Sequence, residues 1–331
     1  MNTPDFWKKR NFFTFALNFF SIIYFLGMRI RSLLYAGKKP FECKLPVICI
    51  GNVTVGGAGK TPVAMAISKL LKKHGKDPVF LSKGYKGILQ GPIKVNPEKH
   101  KAFEVGDEPL LLAQTSRCWV SKDRPSGLKA VETTGAKAVV MDDGMQNLSI
   151  KKDVTFAVVD GSYGFGNGFV LPAGPLRDRL QQALTSADAV IVIGRDRSNV
   201  RQFLGSYNII QARIKILNKI KDKNKKFIAF AGIAIPEKFF RTLEKEGIKI
   251  SRALAFPDHW SYSEKELDKI IEIAKEEEAG IITTEKDMVK IPKKYRSKMT
   301  ALKIEVTFDN PEEVINVLKK RTSLWPRKFA T

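Results

Sequence analysis

The sequence predicts an α/β protein: a doubly wound, mostly parallel sheet, a second and smaller α/β lobe, and an apolar helix at the N-terminus. Three observations carry this. From Lys44 to about residue 205, short apolar runs alternate with helical patterns, the arrangement of parallel strands joined by crossover helices. The first run, Val47 to Ile50, leads through a glycine-rich turn into Gly59-Lys60-Thr61, where a helical pattern opens. Another alternating series begins near residue 227.

Taken in order, the chain starts with a polar stretch ending in Lys8-Lys9-Arg10, followed by an apolar, Phe-rich run from Phe12 to Met28. Seventeen residues fall just short of the roughly 20 that a bilayer-spanning helix needs. Thr14, Asn18 and Ser21 recur at helical spacing, so a helix here carries one narrow polar stripe. Bases flank both ends, and the positive-inside rule gives no orientation. A secretory leader would show a small-residue cleavage site, which is missing, and would carry a phosphate-binding loop away from its nucleotide. The reading is a membrane-associating helix over 1–38, interfacial or barely inserted, with the body in the cytoplasm. The alternative is a core helix.

The core is expected over 39–206, with strands at 46–51, 78–82, 117–121, 137–142, 154–160 and 188–194. Helices are expected at 60–73, 107–116, 127–134 and 177–185. Ligands of such a sheet bind at the carboxyl ends of its strands. Residues 207–226 read as a linker, holding a strand-like run from Ile209 to Leu217 and then a basic cluster. The second lobe, 227–331, has strands near 227–231, 249–255, 279–284 and 301–306, with helices near 235–246, 263–278 and 310–320.

The groups that carry chemistry fall at the ends of these strands. In a phosphate-binding loop, glycines let consecutive N–H groups face one anion, a lysine reaches the β/γ-phosphates, and a hydroxyl residue serves Mg²⁺. Here Thr54 stands at the first glycine position, and Gly56, Gly57, Ala58, Gly59, Lys60 and Thr61 complete a P-loop NTPase-like turn. Ala138 to Met141 ends in Asp142-Asp143, the place for a carboxylate holding Mg²⁺ beside the loop threonine. Asp107, in Gly106-Asp107-Glu108-Pro109, either caps a helix or aims a carboxylate into the same crevice. A run rich in Gly and Pro, 161–176, ends at Arg177, a candidate phosphate contact. His259, in Phe256-Pro257-Asp258-His259-Trp260, and the polar cluster 283–287 end strands of the second lobe.

Composition narrows the partners. The chain has 57 Lys+Arg against 34 Asp+Glu, a net charge of +23. Such a surplus suits nucleic acid, phosphorylated substrates or an acidic membrane face. The basic residues are scattered and no nucleic-acid-binding motif occurs, which argues against the first. The three cysteines, Cys43, Cys49 and Cys118, have neither disulfide-framework nor zinc spacing, as in a reducing compartment.

Together these segments resemble the tetraacyldisaccharide 4′-kinase family, the lipid A 4′-kinases. The resemblance rests on GNVTVGGAGKTP (51–62), SKGYKG (82–87), GDEP (106–109), DDGMQN (142–147), GFGNGFVLPAGPLRD (164–178), FPDHW (256–260) and TTEKD (283–287), in order along most of the chain. Lys83 stands where the family usually has Arg, and Trp260 where a second His is frequent. The resemblance implies transfer of the ATP γ-phosphate to the 4′-hydroxyl of a tetraacylated glucosamine disaccharide 1-phosphate at the cytoplasmic face of the inner membrane. It implies Asp107 as base with His259 as partner, Lys60 on phosphate, Thr61 and Asp142 on Mg²⁺, and Asp143 in support. Residues 283–287, with Glu285, fall on the adenine side, and Lys83, Arg124 and Arg177 are weaker candidates for anionic groups. No obligate protein partner is implied. The rival reading is a GGxGKT-type switch ATPase or GTPase acting on a protein partner; such proteins often carry a lysine at the position of Val55, and no guanine-reading motif is present.

Overall fold

A computed structural model describes residues 4–218, 220 and 225–325. Strands β1 (Val47–Gly51), β2 (Pro78–Ser82), β3 (Ile93–Lys94), β4 (Cys118–Val120), β5 (Ala138–Asp142), β6 (Val154–Asp160), β7 (Ala189–Ile193) and β8 (Ile209–Ile216) are joined by β13 (Ile304–Phe308) in one sheet. Its order is β13-β8-β7-β6-β1-β5-β2-β4-β3, and only the edge strands β13 and β3 pair antiparallel. Between β8 and β13 the chain builds a smaller, wholly parallel sheet from β9 (Phe227–Ala231), β10 (Ile250–Ala255), β11 (Gly280–Thr284) and β12 (Thr300–Leu302), in the order β10-β9-β11-β12.

The central strands are apolar on both sides because both faces are covered. Ile48, Ile50, Phe80, Val140 and Phe156 pack on one face, and Val47, Cys49, Val79, Met141 and Ala157 on the other. The first face is covered by α2 (Lys60–Lys73), through Val63, Ile67 and Leu71, and by the helix Pro311–Arg321, through Val314, Ile315 and Leu318. In the second lobe a helix over Glu264–Glu276 closes one side of the small sheet with Leu267, Ile270 and Ile271.

Two expectations change. The run near 301–306 is not one strand: it breaks at Lys303, leaving β12 in the small sheet and carrying β13 into the large one. The first half of the expected linker 207–226 is β8, paired with β7 and β13; most of its basic cluster lies outside the described residues. The boundary at 206 therefore cuts the large sheet, and the small lobe is an insertion leaving and re-entering at neighbouring points. Those crossings are tied together: the amide of Leu217 donates to the Lys303 carbonyl at 2.9 Å, and the amide of Lys303 to Asn218 Oδ1 at 2.7 Å.

The N-terminal helix α1 runs over Phe12–Ala36, longer than its apolar segment. Its buried residues are Thr14 and Ser21, so the polar stripe faces the protein and the apolar side faces out. Ser21 donates to the Val170 carbonyl at 2.9 Å. Phe12, Phe19, Leu33 and Leu34 are all exposed.

Candidate active site

The carboxyl ends of β1, β5 and β6 open into a cavity of about 1330 Å³ that the small lobe roofs. The phosphate loop is braced from outside, the Val55 amide donating to Pro175 O at 2.7 Å and the Arg177 amide to Val53 O at 2.9 Å. The Gly- and Pro-rich run thus shapes the loop. Gly59, at φ +88°, makes the turn into α2 in a conformation that a side chain disfavours. Lys60 reaches back to Asn52 Oδ1 at 3.1 Å and lies 3.8 Å from Asp143. Burial lowers its pKa below the usual lysine value, against the pull of Asp143.

Thr61 donates its hydroxyl to Asp142 Oδ2 at 2.8 Å, joining the start of α2 to the end of β5. Asp142 is buried, and its Oδ1 has no hydrogen-bond partner among the described residues. Burial raises its pKa despite the Lys60 ammonium. An orphaned, desolvated carboxylate oxygen beside a threonine hydroxyl fits a hard cation with oxygen ligands, as Mg²⁺ is. Asp143 adopts φ +56°, turning away from its neighbour to meet Arg177 at 3.4 Å. Gln146, from the same turn, donates to the Asn52 carbonyl at 3.0 Å and accepts from Arg177 at 3.2 Å.

Arg124 is buried, and its guanidinium donates to the carbonyls of Leu81, Asp142 and Asp143 at 3.2, 3.4 and 3.3 Å. It lines the cavity with Lys83, which is exposed. Thr54 is buried and bridges to Leu176; Gly56, Gly57, Ala58 and Gly59 line the cavity. Glu285 lines it too, but accepts from the Ile304 amide at 3.0 Å, joining the small lobe to the start of β13.

Asp107 begins α3 (Asp107–Ala113) directly after Gly106, whose φ of +91° and close approach to the Tyr85 carbonyl leave no room for a Cβ. Its side chain is 3 % exposed. His259 Nδ1 lies 2.9 Å from each of its carboxylate oxygens. His259 is itself at φ +60°, held by its amide donating to the Gly232 carbonyl at 3.2 Å. A non-glycine residue kept in that region is the kind of strain that collects at functional sites. Buried Asp287 shapes the turn behind it, accepting from the Gly232 amide at 3.1 Å and from the Tyr262 hydroxyl at 2.9 Å.

The Lys286 ammonium joins the pair from the same lobe. It lies 2.7 Å from Glu108, 3.3 Å from Asp258, 3.4 Å from His259 Nε2 and 3.7 Å from Asp107. Nδ1, facing both oxygens of a carboxylate, carries a proton and donates to Asp107, while Nε2 faces the Lys286 ammonium and, at 3.6 Å, the carboxylates of Glu108 and Asp258. Burial works to raise the Asp107 pKa, but the His259 hydrogen bond and the Lys286 charge outweigh it and hold the carboxyl well below the usual range. Glu108 goes the other way: burial, with Asp107 beside it, pushes it up to about 7. Asp107, Glu108 and His259 also have metal-ligand spacing, each offering an atom within 4.8 Å of the others, but Lys286 already supplies the positive charge among them.

The structure therefore gathers Lys60, Thr61, Asp142, Asp143, Arg177 and His259 around one cavity, with Asp107 buried against His259 at its wall. Asn52, Glu108 and Gln146 enter beside them without having been singled out as site residues, and Lys286 and Asp287, expected on the adenine side with the rest of 283–287, stand instead at the Asp107–His259 pair. All five sit inside the motif segments 51–62, 106–109, 142–147 and 283–287, which is the signal that points to them.

Comparison with known proteins agrees with this geometry. The family model described as tetraacyldisaccharide-1-P 4′-kinase matches residues 13–323. A tetraacyldisaccharide 4′-kinase of Paramagnetospirillum magneticum is 41% identical over 94% of this chain and 96% of its own. One from Rhodospirillum rubrum is 41% identical over 94% of this chain and 95% of its own. A crystal structure of LpxK from Aquifex aeolicus in complex with ATP superimposes with a TM-score of 0.76 at 27% identity, covering 93% of this chain and 99% of that one. None of these is a switch ATPase acting on a protein. The chain belongs to the tetraacyldisaccharide-1-P 4′-kinase family.

Proposed function

We propose that Asp107, oriented by His259, is the base in this protein's reaction, the ATP-dependent phosphorylation of the 4′-hydroxyl of a tetraacylated glucosamine disaccharide 1-phosphate. The observation that carries the assignment is the buried Asp107–His259 pair, 2.9 Å apart and drawn from two lobes, its histidine lining the cavity that also holds Lys60. A sugar hydroxyl does not ionise at neutral pH, so its attack gains from a positioned acceptor for the proton. Asp107 is ionised and so has a lone pair to take the proton, and its nearest donor, His259 Nδ1–H, fixes its orientation. As the proton arrives, the ring and Lys286 keep the pair from drifting.

Phosphoryl transfer otherwise depends on alignment and on charge neutralisation. Lys60 and the loop amides of 56–61 hold the β- and γ-phosphates, and Arg177 adds a cation at the far side of Asp143. Thr61 and Asp142 would hold magnesium, with Asp143 in support; when bound, the ion neutralises the phosphoryl oxygens and keeps the γ-phosphate in line. Lys83 and Arg124 line the cavity as weaker candidates for anionic groups, and Glu285 as one for the adenine side.

The outward apolar face of α1 supports docking on the cytoplasmic surface of the inner membrane, so the acyl chains need not leave the bilayer. The net charge of +23 suits the anionic headgroups there. Incubation with radiolabelled ATP and the disaccharide 1-phosphate lipid tests the assignment. Label should enter the lipid with wild type, and Asp107→Ala should lose transfer while still binding ATP. Full transfer by that variant would remove Asp107 from the mechanism.

A further inference from the structure

The lobes meet on both flanks of the phosphate loop, and the second meeting point has no part in the chemistry above. Asp107 follows β3 and precedes β4, on the β5–β2–β4 side of β1; Asp160 ends β6, on β1's other side. Lys238, in the first turn of the small-lobe helix α4 (Pro236–Lys245), forms an ion pair with Asp160. The pair is partly sheltered, the lysine side chain 35% and the aspartate 18% exposed. Asp160 is pre-set for it, because its Oδ1 accepts from the Ser162 amide at 2.9 Å and leaves Oδ2 to the lysine.

Both side chains border a cleft with Gly56, Gly57 and Ala58. The contact between lobes is close here: a Cβ built on Gly57 would stand 3.2 Å from that of Ala234. Among the described residues the chain passes between the lobes at the adjacent points Asn218 and Lys303, so side chains that bridge the lobes set the tilt of the small one. Contacts at the His259 flank alone would leave it free to pivot about that flank. A second contact across the phosphate loop removes the pivot.

We propose that Lys238 and Asp160 are positioning residues, a clasp that seats the small lobe squarely over the bound nucleotide and thereby holds His259 against Asp107. This rests on the reading that ATP occupies the phosphate loop. Both side chains border the main cavity as well, and neither is given a step in the proposed transfer. The charges serve each other, which distinguishes a clasp from a lysine that reaches across to phosphate.

Charge exchange tests it. Fluorophores on Lys137→Cys and Lys249→Cys report the distance between lobes, and calorimetry with a non-hydrolysable ATP analogue reports affinity. Lys238→Asp and Asp160→Lys each put like charges face to face. Each should widen the interlobe distance, weaken the analogue about tenfold and lower kcat. The doubly exchanged protein should recover most of all three. Arg213→Ala, which breaks a pair with Asp309 inside the large sheet, should move none of them. Single variants that leave the distance unchanged, or an exchanged protein no better than Lys238→Asp, would overturn the clasp. A wild type that closes on the analogue yet phosphorylates no acceptor would instead count against the proposed function, with the clasp still judged on distance and affinity.

Discussion

The two lobes furnish the cavity in opposite ways. The large lobe brings the whole of the proposed phosphate site: Lys60 meets Asp143 and Thr61 meets Asp142, joining α2 to the end of β5, and all four residues belong to that lobe. The small lobe brings His259 and Lys286, whose decisive partners, Asp107 and Glu108, belong to the other lobe. Gripping the phosphates thus falls to one lobe, while covering the nucleotide and using it depend on how the two meet. Such a division confines reactive geometry to the closed molecule and keeps water from competing with the sugar.

The comparison breaks most sharply at Lys60 and His259. Lys60→Ala should cost roughly 10²- to 10³-fold in kcat/KM, the range for removing a preorganised charge from a transition state. It should also weaken ATP binding. His259→Ala should lower kcat roughly 10²-fold, as misplacement of the base does, while ATP affinity measured by calorimetry stays at the wild-type value. If affinity falls in step with kcat in the histidine variant, the lobes do not divide the work as described.

How far the sequence discloses this division follows from range. The phosphate loop is local, and its glycines, lysine and threonine are adjacent in the chain, so loop, flanking strand and helix were legible from Val47 to Lys73. Asp107 and His259 were legible only through the order of the motifs, because nothing near either residue names the other. Nothing beside Glu108 in the chain marks it as a site residue, since its partner Lys286 comes from the other lobe. The passage of β13 into the large sheet was hidden because Lys303, where the run divides, is neither glycine nor proline. The apolar run 301–306 looks the same whether one sheet receives it or two.

A finer test concerns the pH dependence. Glu108 titrates near 7, raised chiefly by burial. Below that pH it is neutral, and Lys286 turns its charge toward Asp107, weakening it as a base. Above it, ionised Glu108 engages Lys286 and adds negative charge beside Asp107, which raises the latter's proton affinity. The rate should therefore climb with pH through about 7, and Glu108→Gln should flatten that limb with only a few-fold change in kcat at high pH. A limb that persists in this variant would belong to another group.

The smallest effect on chemistry is expected from α1, which invites a comparison of its own. The helix Glu264–Glu276 buries Leu267, Ile270 and Ile271 and presents charge to water, as an amphipathic helix of a folded body does. In α1 the pattern is inverted: Thr14 and Ser21 pack inward and Phe12, Phe19 and Leu26 point away. The stripe was readable from the spacing, but periodicity alone does not say which medium each face meets. Burying a phenylalanine or leucine side chain is worth about 1.5–3 kcal/mol, so exchanging Phe12, Phe19 and Leu26 for serine should lower partition onto anionic vesicles by roughly 10²-fold or more. Turnover of a short-chain acceptor in detergent should stay within a few-fold of wild type, because none of the three lines the cavity. If flotation with vesicles is undiminished, the outward face of α1 is not what holds the protein to lipid, and some other contact must cover those side chains.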